Sequence, residues 1–252
     1  MHNYIYKHPI ESTQPILSLR GVTRLFEGGS GVADIDLDLH AGETLGICGV
    51  SGCGKTTLLR LIAGLENPDH GLIQHPAGRL GMVFQEPHLL PWMSAQGNVE
   101  LVLGPNQGEK ARAALREVGL AHAAGRYPAQ LSGGMRQRVG IARALAIEPE
   151  VLLLDEPLAS LDYFNRIELL ELLRERVQEH GVAAVFVSHD VREIVSLCER
   201  VIVLGGQPGR VIAHLADPLP PAMRDARPGR RAAFEERLLE AIREGVAGRE
   251  ET

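Results

Sequence analysis

Two kinds of apolar run alternate along the chain. Asp34-Ile-Asp-Leu-Asp-Leu39 switches between polar and apolar at every residue, the pattern of a strand with one buried and one wet face. Val151-Leu-Leu-Leu154 and Val182-Ala-Ala-Val-Phe-Val187 are apolar throughout. Strands of that kind are buried on both faces and belong to a parallel sheet covered by helices. Between these two runs, Ile167, Leu170, Leu173 and Val177 recur at helical spacing and predict an amphipathic helix that Gly181 ends.

The remaining elements follow from the same reading. Strands are predicted over Ile16–Phe26, Val32–Leu39, Thr44–Cys48 and Gly81–Gln85, with Gly28–Gly31 as a turn. Arg200–Leu204 and Arg210–Leu215 flank Gly-Gly-Gln-Pro-Gly and read as a closing hairpin. Helices are expected over Thr56–Ala63, over Glu109–Val118, and from Ser132 to about Ile147, where Pro149 stops the run. Arg230–Val246 reads as a helix whose Arg/Glu mixture is a solvated face, after a Pro-rich linker over Ala216–Gly229. Met1–Pro15 reads as a loose arm, and Glu86–Val99, with Pro87, Pro91 and Trp92, as irregular. The result is an α/β chain: a mostly parallel core sheet with helices on both faces, preceded by an antiparallel β subdomain.

Composition narrows the picture. The 252 residues allow one large α/β unit or one core with a subdomain. A net charge of −6 argues against nucleic acid as the main partner. Cys48, Cys53 and Cys198 have no zinc-type spacing, and an odd number fits a reduced, cytosolic chain. Met1–Pro9 does not read as a signal peptide, and no apolar run approaches the roughly 20 residues a membrane span needs. If the protein works at a membrane, another chain anchors it.

The candidate chemistry begins at Gly49-Val50-Ser51-Gly52-Cys53-Gly54-Lys55-Thr56-Thr57, which satisfies G-x-x-x-x-G-K-[ST]. Glycines let backbone N–H groups turn toward crowded phosphate oxygens, and the following helix adds the positive end of its dipole. Lys55 is expected to reach the β- and γ-phosphates, and the Thr56 hydroxyl to bind Mg²⁺. A chance Gly-Lys-Thr turn would lack the strand before and the helix after. Cys53 is a small residue in this loop, where thiol modification could block the site. Gln85 is a carboxamide at a strand end, able to touch both a metal and a water. Asp155 and Glu156 end the Val151 strand, where ligands of parallel sheets sit. Asp155 is expected to hold Mg²⁺ through water and Glu156 to act as general base; the alternative is a plain acidic turn. His189 follows the end of the Val182 strand, where it could contact a γ-phosphate or be structural. Phe26 is either a ring for an adenine to stack on or a core residue. Ser132-Gly133-Gly134, opening a helix, forms a second anion-binding cap, one more than a single nucleotide needs.

In this order, these motifs resemble the ATP-binding subunits of ABC transporters, over about residues 16 to 215. Leu131-Ser-Gly-Gly-Met-Arg-Gln-Arg138 looks like the ABC signature, with Met135 where the family more often has Gln; the stacking ring, Phe26 here, is often Tyr. The resemblance implies a P-loop NTPase (RecA-like) core with an inserted α-helical subdomain at about 87–140. It also implies two cassettes, expected to be two copies, paired head to tail around ATP and Mg²⁺. Ser132, Gly133 and Gly134 would then touch a γ-phosphate bound to the partner chain, and Arg143 and Asp162 would help join the halves. Gln85 would sense the metal and attacking water and signal to integral-membrane permease subunits through Glu86–Val99. Gln85–Met93, Asp190–Ile194 and Val203–Arg210 look like the importers of nitrate, sulfonates and taurine, a subgroup that includes importers of thiamine-precursor pyrimidines. That places the chain at the cytoplasmic face of a bacterial inner membrane, serving indirectly a periplasmic solute-binding protein, with no nucleic acid involved. A soluble ABC ATPase of translation or DNA repair would carry two cassettes or a long coiled-coil insertion. A GTPase would carry Asn-Lys-x-Asp. For a regulator without turnover, Glu156 and His189 would be superfluous.

Overall fold

A computed structural model describes residues 14–217, 219 and 221–247, so most of the expected N-terminal arm lies outside the described residues. The first sheet is antiparallel, in the order β2-β1-β4. Its strands are β1 (Leu17–Leu25), β2 (Gly31–Leu39) and β4 (His70–Gln74). Along β2, Asp34, Asp36 and Asp38 alternate with buried Ala33, Ile35, Leu37 and Leu39. The sequence reading missed β4, because His-Gly-Leu-Ile-Gln lies at the edge with almost every side chain in water and so carries no alternation.

The second sheet has the order β5-β6-β7-β3-β8-β9. β5 (Leu80–Val83), β6 (Val151–Asp155), β7 (Ala183–Val187), β3 (Thr44–Gly49) and β8 (Arg200–Gly205) run parallel, and β9 (Arg210–Ala216) closes the edge antiparallel to β8. Every residue of β6 and β7 is buried. Successive side chains of β6 point to opposite faces. Val151 and Leu153 join one core with Leu45, Ile47, helix α1 (Lys55–Ile62) and the apolar face of the first sheet. Leu152 and Leu154 join the other core, with the remaining helices.

That second layer holds α2 (Ala95–Leu103), α3 (Gly108–Glu117), α4 (Gly133–Ala146), α5 (Tyr163–His180), α6 (Val191–Leu197), α7 (Pro221–Asp225) and α8 (Pro228–Ala247). α2, α3 and α4 pack on one another. Three local expectations change. Part of the stretch expected to be irregular is α2: Ser94 caps it by accepting from Gly97 N at 3.1 Å, although Gly97 and Asn98 are weak helix formers. The buried stripe of α5 is Leu169, Leu173 and Val177, whereas Ile167 is 38% exposed; both stripes fit helical spacing, and packing selects one. The expected linker contains α7, and α8 is not wholly solvated. Phe234, Leu238 and Ala241 are buried against the body of the protein, on the side where α8 meets α6 and β8.

Candidate active site

The parallel strands deliver their functional residues to one edge of the sheet. β3 leads into the glycine-rich loop, β5 into Gln85, β6 into Asp155 and Glu156, and β7 into His189. In the loop, Gly54 has φ +95° and is the N-cap of α1. A Cβ on Gly54 would lie 2.5 Å from the Gly31 carbonyl oxygen. Helices α2, α4, α5 and α6 begin with a capping side chain, from Ser94, Ser132, Asp162 and Asp190 respectively. Gly54 has none to offer, so no side chain shields the positive end of the α1 dipole, the chemistry an anion requires. Lys55 is buried and its Nζ donates to the carbonyls of Gly49 at 2.9 Å and Val50 at 3.0 Å. The Cys53 thiol is also buried, lodged beneath Gly49, where an added Cβ would meet its Sγ at 2.8 Å.

The Thr56 hydroxyl donates to Asp155 Oδ1 at 3.3 Å. Burial raises the Asp155 carboxyl above its ordinary value, with the Thr56 hydrogen bond pulling it back. A hydroxyl beside a buried carboxylate is a hard-oxygen pair of the type Mg²⁺ uses alongside phosphate and water. Among the described residues no group of three or more His, Cys, Asp or Glu side chains could hold a metal, so a cation at this pair would need further oxygen ligands, from the Gln85 carboxamide, phosphate or water.

Glu156 has a left-handed backbone, φ +45°, rare for a residue with a Cβ, and its N–H donates to Val187 O at 3.0 Å. That turn presents a side chain 19% exposed. Its Oε2 lies 3.1 Å from His189 Nδ1 and accepts from Gln85 Nε2 at 3.5 Å. Two sequence-predicted residues from two strand ends thus converge on the carboxylate at a third. Phe26 is 39% exposed and so is no core residue; the Arg24 guanidinium sits 4.9 Å from its ring centre.

The signature segment forms its own helix start. Ser132 caps α4 by accepting from Met135 N at 3.2 Å, and Ser132 and Gly133 are exposed. Gly134 packs on the next motif: an added Cβ would lie 3.1 Å from Leu161 Cδ2 and 3.5 Å from Ser160 O. Gln137 Nε2 donates to Phe84 O at 3.1 Å, pinning α4 to the residue before Gln85. Asp162 caps α5, and the Asn165 backbone N–H bonded to it holds its carboxyl below the ordinary range. Arg143, expected at the seam between two cassettes, also has partners in its own chain. Its guanidinium donates to Pro87 O at 2.7 Å and His88 O at 3.2 Å within this chain, fastening the segment after Gln85 onto α4.

Two further residues were missed in the sequence. Asn98 is fully buried; it accepts from Leu90 N at 2.7 Å and donates to the carbonyls of Leu90, Met93 and Ser94, so it shapes the 90–94 loop. Gly209 lies against the phosphate loop, where an added Cβ would stand 1.9 Å from the Cys53 carbonyl oxygen. Its N–H donates to Gly31 O and its carbonyl accepts from Ala33 N, both at 2.9 Å. Gly205-Gly-Gln-Pro-Gly209 was the available signal, read as a turn and as part of a subgroup mark but not as a support for the phosphate loop.

A family model described as ABC transporter matches residues 32–159, slightly more than half the chain, spanning the phosphate loop, the signature and both acids. The chain belongs to the ABC transporter family. This cassette is 41% identical over 249 residues to the aliphatic sulfonates import ATP-binding protein SsuB 2 of Burkholderia lata, covering 94% of this chain and 90% of that one. It is 43% identical to the aliphatic sulfonates import ATP-binding protein SsuB of Rhodopseudomonas palustris, covering 94% and 85%. Among solved structures it is similar to a dimeric ATP-binding cassette in a post-hydrolysis state bound to ADP and Pi. There the TM-score is 0.74 at 30% identity, over 79% of this chain and 98% of that one. The cassette is accordingly an ABC-type ATPase with a P-loop NTPase fold. Among the described residues, no helix is long and apolar enough to cross a membrane.

Proposed function

We propose that this cassette is the motor of an importer for aliphatic sulfonates, working as a homodimer beneath separate permease subunits at the cytoplasmic face of the inner membrane. The relatives named for sulfonate import support the solute class; nitrate, taurine and thiamine-precursor pyrimidines are the neighbouring alternatives. A periplasmic binding protein would deliver the solute. The observation that carries the reading is the convergence of Gln85 and His189 on Glu156, beside the Thr56–Asp155 pair.

The phosphate loop from Gly49 to Thr57 and the start of α1 cradle ATP, Phe26 offers a face to its base, and Lys55 neutralises the β- and γ-phosphates. Thr56, Asp155 and Gln85 hold Mg²⁺, which when bound neutralises charge on the transferring phosphoryl group. Glu156 accepts the proton of the attacking water, and His189 holds Glu156 while facing the γ-phosphate. Ser132, Gly133, Gly134 and Asp162 serve the ATP of the partner copy. Residues 16–215 form the cassette, with about 87–140 as its helical subdomain. Moving a gate from 1:99 to 99:1 takes about 5.5 kcal/mol of differential binding, which two nucleotides bridging two subunits can supply.

The test is Mg²⁺-dependent phosphate release by the purified protein, alone and with its permease, across a protein-concentration series. Turnover that rises with dimer fraction supports the shared site; equal turnover in a strict monomer overturns it. Loss of growth on an aliphatic sulfonate as sole sulfur source, in a strain lacking this chain, tests the solute.

A further inference from the structure

The segment around His189 is held from outside the strand that carries it. Ser188 Oγ donates to Glu193 Oε2 at 2.6 Å and accepts from Asp190 N at 3.0 Å. Asp190 then caps α6 by accepting from Arg192 N at 2.9 Å. His189 therefore sits between Ser188, which is tied to Glu193, and Asp190, which is tied to Ser188 and to the start of α6. Both acids face one cation. Arg166 lies with Nη1 3.6 Å from Asp190 Oδ2 and Nε 3.4 Å from Glu193 Oε1. The fork of a guanidinium can span two carboxylates in this way; a lysine ammonium is a single point.

Arg166 comes from the first turn of α5, and that turn is also gripped from the signature helix. Arg138 on α4 donates to Asn165 Oδ1, and to Glu168 Oε2 at 3.2 Å. Asn165 in turn donates through its backbone N–H and its side chain to the Asp162 cap. A continuous set of contacts thus runs from the signature helix, through the start of α5, to the backbone on both sides of His189.

We propose that Arg166 is a positioning residue for hydrolysis, setting His189 against Glu156 according to where the signature helix and Asp162 hold the first turn of α5. The inference rests on the proposed role of His189. Arg166 touches neither nucleotide nor reacting atoms and acts through the two acids that frame the histidine. Its contacts lie with α6, whereas the phosphate loop follows β3, so its removal is expected to affect turnover and not nucleotide binding.

The experiment measures kcat and KM for ATP in the full-length protein carrying Arg166→Ala, Arg166→Lys, Glu193→Gln, His189→Ala and the Arg166→Ala/His189→Ala pair. The expected result is a fall in kcat of about tenfold for Arg166→Ala with KM within about twofold. Partial recovery is expected in Arg166→Lys, and almost no further loss when Arg166→Ala is added to His189→Ala. Independent, multiplicative losses in the double variant, or unchanged kcat in Arg166→Ala and Glu193→Gln, would overturn the inference. Unchanged kcat in His189→Ala would instead overturn the role given to the histidine. Should Arg166→Ala not fold, Arg166→Lys and Glu193→Gln, each also paired with His189→Ala, decide the matter by the same kcat losses and the same lack of additivity.

Discussion

His189 Nδ1 lies 3.1 Å from Glu156 Oε2, at the ends of two adjacent parallel strands. The contact fixes the direction of a carboxylate whose own backbone is held left-handed by its bond to Val187. Rigid support on both sides suits a group that must meet one water in one orientation. Glu156→Gln keeps the shape and removes the basicity. It should bind ATP and accumulate as a dimer while hydrolysis falls by about 10²- to 10⁴-fold. Phosphate release and size-exclusion chromatography with Mg²⁺ and ATP check this; near-normal turnover removes Glu156 as the base.

Lys55 should act on affinity. Its Nζ is already aimed along the loop by the carbonyls of Gly49 and Val50. Hydrogen bonds to charged groups contribute about 1.5–3 kcal/mol, so Lys55→Ala should weaken ATP binding by roughly 10- to 100-fold. Titration calorimetry with ATP tests it, and unchanged affinity would count against the cradle.

Gly209 offers a test of the loop from its underside. It is remote in sequence from the phosphate loop, yet its Cα faces the Cys53 carbonyl so closely that any Cβ must displace it. Gly209→Ala should shift the phosphate loop and weaken ATP binding by about tenfold or more, with the residues that surround Glu156 intact. Equal affinity in variant and parent would show that the loop tolerates the displacement.

What could be read from the chain was what is local. Gly49–Thr56 declares its chemistry within eight residues, and the unbroken apolar runs of β6 and β7 announce double burial. Roles that depend on distant partners were silent. Gly209 faces Cys53 across the fold, Arg143 bonds the carbonyls of Pro87 and His88, and β4 has no buried face to pattern it. For α5, Ile167 and Leu169 both fit an apolar stripe, and only the neighbouring elements decide between them. The convergence on Glu156 lies between these extremes. Each residue was recognisable at a strand end, while their meeting depends on the strand order.

Glu193 separates stability from turnover. Burial raises its carboxyl above the ordinary 4.5, against the lowering effect of Ser188 and Arg166. Between 4.5 and the raised folded value the native protein holds a proton that the unfolded chain has released. Stability therefore falls as pH rises through that window, and the deficit is complete above it. Gln cannot ionise and escapes the deficit. Glu193→Gln should be at least as stable as the parent at pH near 8, and the two should converge at about pH 4. Thermal unfolding at both values measures this. A variant as stable as its parent but slower in turnover separates a positioning role from a structural one.

Arg224 tests whether the C-terminal segment is part of the folded body. It is fully buried, donates to the carbonyls of Leu219 and Val195 at 3.0 Å each and to that of Cys198, and stands 4.9 Å from the Phe234 ring centre. Val195 lies in α6 and Cys198 caps its C-terminal end. The guanidinium thus satisfies orphan carbonyls of a helix end while joining α6, α7 and α8. Arg224→Ala would leave these acceptors buried without it, at a cost of about 3 kcal/mol. For a domain of this size that corresponds to roughly 6–12 °C in Tm. Arg224→Lys can reach only one or two of the carbonyls and should fall between. An unchanged Tm in Arg224→Ala would mean that α7 and α8 unfold separately from the core, because a cooperative unit cannot lose so buried a cation without responding.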